Sequence, residues 1–287
     1  MDDRNDEAPG SDPANLAQTA SAAYRLASLD QDFLLGASTR GLRFQLEYLK
    51  VEEALRDFGV VSTLVVFGSA RVRENGPGKQ SFWYAEAREF GRLASREGGA
   101  ARGGPPYPNV VTTGGGPGTM EAANRGAFEA GAPTIGFNIT LPREQEPNRF
   151  TTPALTFRFH YFAMRKMHFA MRAKALVVFP GGFGTLDELF EVLTLTQTKK
   201  TPTTPIVLVD EAYWRRVVDW EGLTENGMVD RHDLDLLAFA ADGADAWRRL
   251  KAAGVADGDG RAPLAAAPGA PAGSAGNLPL GGALKRD

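Results

Sequence analysis

The segment Ala175-Leu-Val-Val-Phe-Pro-Gly-Gly-Phe-Gly-Thr-Leu-Asp-Glu188 begins as an apolar strand, turns at a Gly-rich stretch and continues as a helical pattern to Thr196. Such a turn presents free backbone N–H groups at the positive end of a helix dipole, which predicts a phosphate-binding site. Thr185 adds a hydroxyl donor, whereas Glu188 would repel a phosphate and is expected to meet ribose hydroxyls or an attacking water. An ordinary Gly-rich turn with Thr185 as helix N-cap explains the same residues.

Two further strands end in small residues. The strand at 110–113 is followed by Gly114-Gly-Gly-Pro-Gly118 and a helix over 119–130, and the strand at 62–67 is followed by Gly68-Ser69-Ala70. Open parallel sheets bind ligands beyond the carboxyl ends of their strands, so these turns predict one shared, nucleotide-sized cleft. None of them has the spacing of a dinucleotide fingerprint or of a Walker-type loop, which disfavours a nicotinamide or ATP site.

The alternation of strands and helices predicts an α/β fold, a Rossmann-like open parallel sheet with helices on both faces, over residues 61–252. Residues 21–60 are predicted to form a helical N-terminal prefix, and residues 232–251 a closing helical segment. The acidic residues 1–20 and the Gly/Ala/Pro-rich residues 253–287 are predicted to be disordered, because they offer too little apolar surface to bury.

Composition excludes several classes of function. The 287 residues carry a formal net charge of −3 and no basic run, so we expect no nucleic-acid partner. There is no cysteine, and the three histidines lack metal-ligand spacing, so neither a metal site nor another cofactor is expected. No apolar run approaches membrane-spanning length and no signal peptide is recognisable, which predicts a cytoplasmic protein without a membrane partner.

A helical pattern over 160–174 leads into the Gly-rich turn. Its methionines, Met164, Met167 and Met171, recur at the spacing of a core-facing stripe. Arg165 and Lys166 are adjacent and cannot both lie on that stripe. An isolated Arg-Lys pair is usually solvated, but these two cations would also suit an anionic mononucleotide.

Met164-Arg165-Lys166 and the Pro180–Glu188 segment together resemble the Lonely Guy family, the cytokinin riboside 5′-monophosphate phosphoribohydrolases often labelled lysine decarboxylases. Gly114–Met120, Phe67-Gly-Ser69 and Leu141-Pro-Arg-Glu144 are similar to three further elements of the family. The resemblance covers residues 60 to 230. This sequence departs from the family pattern in one place, since Met164 directly precedes Arg165 instead of standing three residues ahead.

The resemblance implies a nucleoside 5′-monophosphate phosphoribohydrolase with Arg165 and Glu188 as the catalytic residues. Glu188 would bind ribose hydroxyls and orient water or stabilise positive charge, while Arg165 would polarise the leaving base. Asp187, turned about 100° away on the helix, is expected to be only a first-turn dipole partner. The implied substrate-binding residues are Ser69, Gly115, Gly116, Met120, Glu144, Met164, Lys166, Gly181, Gly182, Gly184 and Thr185.

Two other functions compete with this interpretation. A binding protein without hydrolytic activity, such as a molybdenum cofactor carrier, shares the general fold, and fold alone does not determine function. Amino-acid decarboxylation is disfavoured because no lysine stands in a recognisable pyridoxal phosphate setting. The expected partners are a small nucleoside monophosphate and further copies of this chain, in a homodimer or a larger homo-oligomer.

Overall fold

A computed structural model describes residues 13–141, 146–202 and 204–255. Its strands form one seven-stranded sheet. They are β1 Thr63–Phe67, β2 Val110–Thr113, β3 Thr134–Ile139, β4 Thr156–Phe159, β5 Ala173–Val178, β6 Ile206–Val209 and β7 Leu237–Ala240.

Helices connect these strands and also precede them. They are α1 Leu16–Thr19, α2 Gln31–Leu35, α3 Arg40–Phe58, α4 Gln80–Glu97, α5 Thr119–Glu129, α6 Phe162–Met171, α7 Phe183–Gln197, α8 Glu211–Val217, α9 Trp220–Glu225 and α10 Gly243–Ala252. Short 3₁₀ turns occur at Pro13–Asn15, Ala22–Tyr24, Ala37–Thr39, Pro153–Leu155 and Arg231–Leu236. No helix in these ranges is both long and apolar enough to cross a membrane.

All neighbouring strands are parallel, in the order β4-β3-β2-β1-β5-β6-β7. The chain therefore builds the sheet outward from β1 to β4 and then returns to add β5 on the other side of β1. The connections diverge where this order reverses, which opens a crevice at the carboxyl ends of β1 and β5. The predicted Rossmann-like α/β fold is confirmed.

The sheet is buried on both faces by alternating side chains of its central strands. Val65 and Phe67 of β1 point into a core shared with α3, α6 and α7, and Leu64 and Val66 point into a second core shared with α4, α5 and α10. This two-sided burial explains why β1 reads as a continuous apolar run. The cores leave the carboxyl edge of the sheet free for a site.

The closing segment differs from the prediction of a helix over 232–251. Leu237–Ala240 forms the edge strand β7, paired in parallel with β6, between a 3₁₀ turn at Arg231–Leu236 and the α-helix Gly243–Ala252. Four residues are too few to distinguish a strand from a helix by periodicity, so pairing with β6 decides. After β6 the chain forms two short helices, α8 and α9, which are separated by Val218 and Asp219.

The prefix contains α2, α3 and two 3₁₀ turns, and the end of α3 packs on the core of the sheet. Val51 and Leu55 are buried, whereas Leu42 and Leu46 remain exposed. Residues 1–12 and 256–287, on which most of the two disorder predictions fall, lie outside the described residues. Within the first of these predicted segments, residues 13–19 form short helical turns.

Candidate active site at the carboxyl edge of the sheet

A cleft of about 920 Å³ lies where the sheet order reverses. Three strand ends supply its floor: the turn after β1, the turn after β2 and the turn after β5. Its remaining walls come from α4, α6, α7 and α8. The predicted site residues that line it are Ser69, Gly116, Met120, Arg165, Gly181, Gly182, Gly184, Thr185 and Glu188.

The turn after β5 leaves the backbone N–H groups at the start of helix α7 accessible from the cleft. Gly182 is the N-cap of α7, so the N–H groups of the first turn have no intrahelical acceptor and face an incoming anion. Gly181 is required sterically, because a Cβ there would lie 2.1 Å from the Thr185 hydroxyl oxygen. The N–H of Ser69 donates to the carbonyl of Pro180 at 3.2 Å, which ties this turn to the end of β1.

The turn after β2 approaches strand β3 closely. Gly115 has φ of 69°, and a Cβ there would lie 2.2 Å from Oδ1 of Asn138. Both the left-handed backbone and the close contact therefore demand glycine. Gly115 itself is buried within the turn, and Gly116 and Met120 are the parts that reach the cleft.

A buried polar network supports this second turn from below. The backbone N–H of Asn148 donates to the carbonyl of Gly115 at 2.8 Å, and its side-chain amide donates to the carbonyl of Gly116 at 3.0 Å. The same amide reaches Oδ1 of Asn124, which also accepts the hydroxyl of Thr113. Sequence reasoning missed both asparagines, although Asn124 interrupts the small-residue face of α5, a position where a polar side chain signals a buried partner.

The two predicted catalytic side chains meet inside the cleft. Nη2 of Arg165, on α6, lies 3.2 Å from Oε1 of Glu188, on α7. Their side chains are only 14% and 7% exposed. The Arg165 guanidinium also lies over the rings of Phe162 and Phe169, at 5.1 and 5.7 Å from the ring centroids. The pair is thus an ion pair in a partly apolar setting, where charges interact more strongly than in water.

Burial governs the protonation of Glu188. It raises the pKa of the Glu188 carboxyl above its ordinary value, and the positive charges of Arg165 and Lys166 offset only part of that rise. A carboxylate with a raised pKa is a better proton acceptor near neutral pH. Arg165 stays protonated, since a guanidinium does not lose its proton in proteins. The arrangement provides a basic carboxylate and a fixed cation side by side.

Besides Gly115, two predicted binding residues of the described ranges, Met164 and Lys166, do not line the cleft. Lys166 turns away and pairs with Asp187 at 2.8 Å and with Glu191 at 2.9 Å. Met164 packs against the core beneath α6. Glu144 lies outside the described residues. The first two follow from the rotation of about 100° per residue along a helix, which lets only one side chain of Met164-Arg165-Lys166 point at the ligand.

The cleft residues that escaped the sequence analysis include Asn138 near the end of β3, Phe162 at the start of α6, Trp83 on α4 and Tyr213 on α8. Tyr213 carried a usable signal, since it stands just after the carboxyl end of β6. Trp83 carried none, because helix-borne aromatic residues are usually part of the core.

Helix α3 holds helix α6 at both ends. The carboxylate of Glu47 accepts the backbone N–H groups of His160 and Tyr161, at 2.8 and 3.2 Å, just before α6 begins. At the other end, Glu52 forms two hydrogen bonds with Arg172 and lies 3.3 Å from Nδ1 of His168. The prefix thereby fixes the helix that carries Arg165.

Parts of this chain are similar to known proteins. Residues 110–250 match the family described as "Possible lysine decarboxylase". A stretch of 127 residues is 28% identical to the probable cytokinin riboside 5′-monophosphate phosphoribohydrolase LOGL5 of Oryza sativa subsp. japonica, covering 44% of this chain. The match spans 47% of that rice protein's length, about half.

Two solved structures are similar in fold. One is the X-ray structure of TM1055, a structural genomics target, with 20% identity, a TM-score of 0.49, and coverage of 67% of this chain and 99% of the other. The second is the molybdenum cofactor binding protein from the phototrophic bacterium Rippkaea orientalis, with 19% identity, a TM-score of 0.46, and coverage of 67% and 96%.

Proposed function

Since this chain belongs to the Lonely Guy family, we propose that it hydrolyses the N-glycosidic bond of a nucleoside 5′-monophosphate. The products would be the free base and ribose 5-phosphate, with AMP or a cytokinin riboside monophosphate as the substrate type. The observation that carries this proposal is the buried Arg165–Glu188 pair, which lies in one cleft with two Gly-rich helix starts.

The 5′-phosphate would bind at the start of α7. Gly182, Gly184 and Thr185 present unpaired N–H groups and one hydroxyl there, and the dipole of α7 adds a partial positive charge. Ser69 and Gly116 line the opposite side of the same cleft. A phosphate at this position leaves the ribose and base to extend toward Arg165 and Glu188, one helical turn further on.

In the proposed reaction, water oxygen bonds to C1′ of the ribose and the C1′–N bond breaks, its electron pair leaving with the base. One water proton ends on the departing base. Glu188 would orient the water and stabilise the positive charge that develops on the ribose. It would also take that proton from the water and pass it on to the departing base. Arg165 would stabilise the negative charge that develops on the base, and this electrostatic role requires no proton transfer from the guanidinium.

A screen of the purified protein against the common nucleoside monophosphates tests the proposal. The expected result is release of free base from at least one of them, and much slower release by Glu188→Gln. AMP should also be hydrolysed far better than adenosine, because the start of α7 contributes binding only to a phosphorylated substrate. Equal kcat/KM for AMP and adenosine would contradict the proposed phosphate site. It would not contradict the catalytic roles of Arg165 and Glu188.

A second candidate is a nucleotide or cofactor carrier without hydrolytic activity. The feature that favours it is the ion pair between Arg165 and Glu188, in which the two charges neutralise each other. Such a pair can have a purely structural role, which is to hold α6 against α7. A carrier would bind nucleoside monophosphates in a calorimetric titration without releasing base over hours. The screen described above therefore separates the two candidates directly.

We also propose that the chain forms a homodimer through the rim of the cleft. Phe183 is 93% exposed at the start of α7, and Phe190 further along α7 and Phe162 on α6 are partly exposed as well. Exposed aromatic side chains of this kind are typical of protein interfaces. Light scattering at micromolar concentration should give at least twice the chain mass, and Phe183→Ser should weaken the association.

A further inference from the structure

Asp210 stands in an unusual backbone conformation at the carboxyl end of β6. Its φ is 69°, in the left-handed region that residues other than glycine rarely occupy, and its side chain is only 6% exposed. The carboxylate accepts Nε1–H of Trp83, on α4, at 2.9 Å and Nζ–H of Lys79, the residue before α4, at 3.0 Å. It also caps α8 by accepting the N–H of Tyr213. Strained residues held by several partners cluster at functional sites.

These contacts place one hydroxyl group against the predicted phosphate site. Oη of Tyr213 donates a hydrogen bond to the carbonyl of Gly181 at 2.7 Å. The Tyr213 ring is supported by Trp83, whose ring meets it edge-on with the centroids 5.7 Å apart. Both aromatic residues line the cleft. The start of α8 is therefore connected, through one hydrogen bond, to the turn that begins α7.

That hydrogen bond restrains a turn that has little steric restraint of its own. A Cβ added at Gly182 or Gly184 would meet nothing within 4 Å, so both residues lie beside open space. The carbonyl of Gly181 and the N–H of Gly182 belong to one planar peptide unit and point in opposite directions. Holding the carbonyl against Tyr213 thus keeps the Gly182 N–H directed away from α8.

We propose that Tyr213 is a positioning residue for the substrate phosphate, and that it acts by fixing the Gly181–Gly182 peptide while Asp210 and Trp83 hold it in place. This inference rests on the proposed function, because it assumes that an anion binds at the start of α7. Without the hydroxyl, the two glycines would sample other orientations, and binding would have to restore the order that Tyr213 now supplies in advance.

The test compares Tyr213→Phe with Tyr84→Phe. Tyr84 is a matched control, because its hydroxyl also makes a side-chain hydrogen bond, to Glu121, and it does not line the cleft. We measure kcat and KM for AMP and the dissociation constant of inorganic phosphate in both variants. Tyr213→Phe should raise KM and the phosphate dissociation constant about tenfold, the usual size for one hydrogen bond that pre-organises a site, with kcat changed less than about threefold. Tyr84→Phe should leave all three values near those of the parent protein.

The possible outcomes separate this inference from the proposed function. If the parent protein hydrolyses AMP and Tyr213→Phe has the same KM and phosphate affinity, the inference on Tyr213 is wrong and the proposed function stands. If the parent binds phosphate but releases no base, the function is wrong, and the phosphate titration alone still decides the role of Tyr213. If the parent binds neither phosphate nor AMP, both are wrong. Equal losses in the two variants would show a general loss of folding and overturn the positioning role.

Discussion

Asp187 and Glu188 are neighbours in the chain but face opposite environments. The carboxylate of Asp187 is 57% exposed and pairs with Lys166, whereas that of Glu188 is 7% exposed and pairs with Arg165 inside the cleft. The two pairs are separated by one step of about 100° around α6 and α7. Replacing each carboxylate by the amide of the same size therefore tests whether the proposed chemistry depends on the buried pair.

We predict that Glu188→Gln lowers kcat by about 10²–10³-fold, as expected for the loss of one charge that stabilises the transition state. Asp187→Asn should change kcat less than about threefold, because an exposed ion pair contributes at most about 1 kcal/mol. Steady-state release of base from AMP measures both. The Glu188 variant should still bind AMP, since the start of α7 is unchanged. If Asp187→Asn were inactive and Glu188→Gln fully active, the assignment of Glu188 as the catalytic carboxylate would be wrong, and Asp187 would hold that role.

The second prediction concerns the acidic side of the pH profile. Burial raises the pKa of Glu188, so kcat/KM should fall on acidification with an apparent pKa above 4.5, the ordinary value for a glutamate. Lys166 lowers the pKa of Glu188, and its removal also leaves Asp187 and Glu191 without their cation. Lys166→Gln should therefore shift this pKa to a higher value while the enzyme remains active. A profile that is flat down to pH 4.5, or a shift to lower pH in Lys166→Gln, would refute the assignment of Glu188.

Much of the fold and half of the site geometry follow from local sequence patterns. The turns after β2 and β5 were predictable because a Gly-rich stretch between an apolar strand and a helix has few other conformations. The edge strand β7 was not, since its four residues gain their structure from pairing with β6. Lys166 was wrongly placed for a similar reason. The sequence shows that Arg165 and Lys166 are adjacent in a helix, but not which of the two side chains points into the cleft.

The supporting residues were harder to predict than the contacting ones. Asn148 and Tyr213 each act on a glycine carbonyl far away in the chain, 33 and 32 residues from Gly115 and Gly181 respectively. Contacts of this kind depend on the order of the strands in the sheet, which cannot be read from local sequence patterns. A buried polar side chain on a core-facing position, such as Asn124, is the clearest sign that such a contact exists.

The third prediction tests the network under the β2 turn. Asn148→Leu keeps the size of the side chain but leaves the carbonyl of Gly116 and Oδ1 of Asn124 without this donor. The free energy of unfolding should fall by about 2 kcal/mol, as expected for buried acceptors that lose a partner. KM for AMP should rise too, because Gly116 lines the cleft.

Denaturant unfolding and AMP kinetics measure the two effects. Asn226→Leu is the matched control: its amide also donates to a glycine carbonyl, that of Gly222, but on the exposed surface. It should change the free energy of unfolding by less than about 0.5 kcal/mol. If Asn148→Leu and Asn226→Leu were equally mild, the network would have no structural role.

The last prediction concerns stability and the junction between α3 and α6. Burial raises the pKa of Glu52, but the neighbouring side chains of His168 and Arg172 lower it more, to about 2. A carboxyl whose pKa is lower in the folded state than in the unfolded state stabilises the fold above the unfolded pKa, and this contribution is lost as the pH falls through the folded pKa.

Glu52→Gln should therefore lower the free energy of unfolding by on the order of 2 kcal/mol at pH 7, a value reduced for partial solvent screening. The difference from the parent should shrink as the pH falls from about 4.5 toward about 2. Urea titrations over this range measure it, with the exposed neighbour Glu53→Gln as the control. A deficit that stays constant from pH 7 to pH 3 would mean that packing, and not the charge of Glu52, holds α6 against α3.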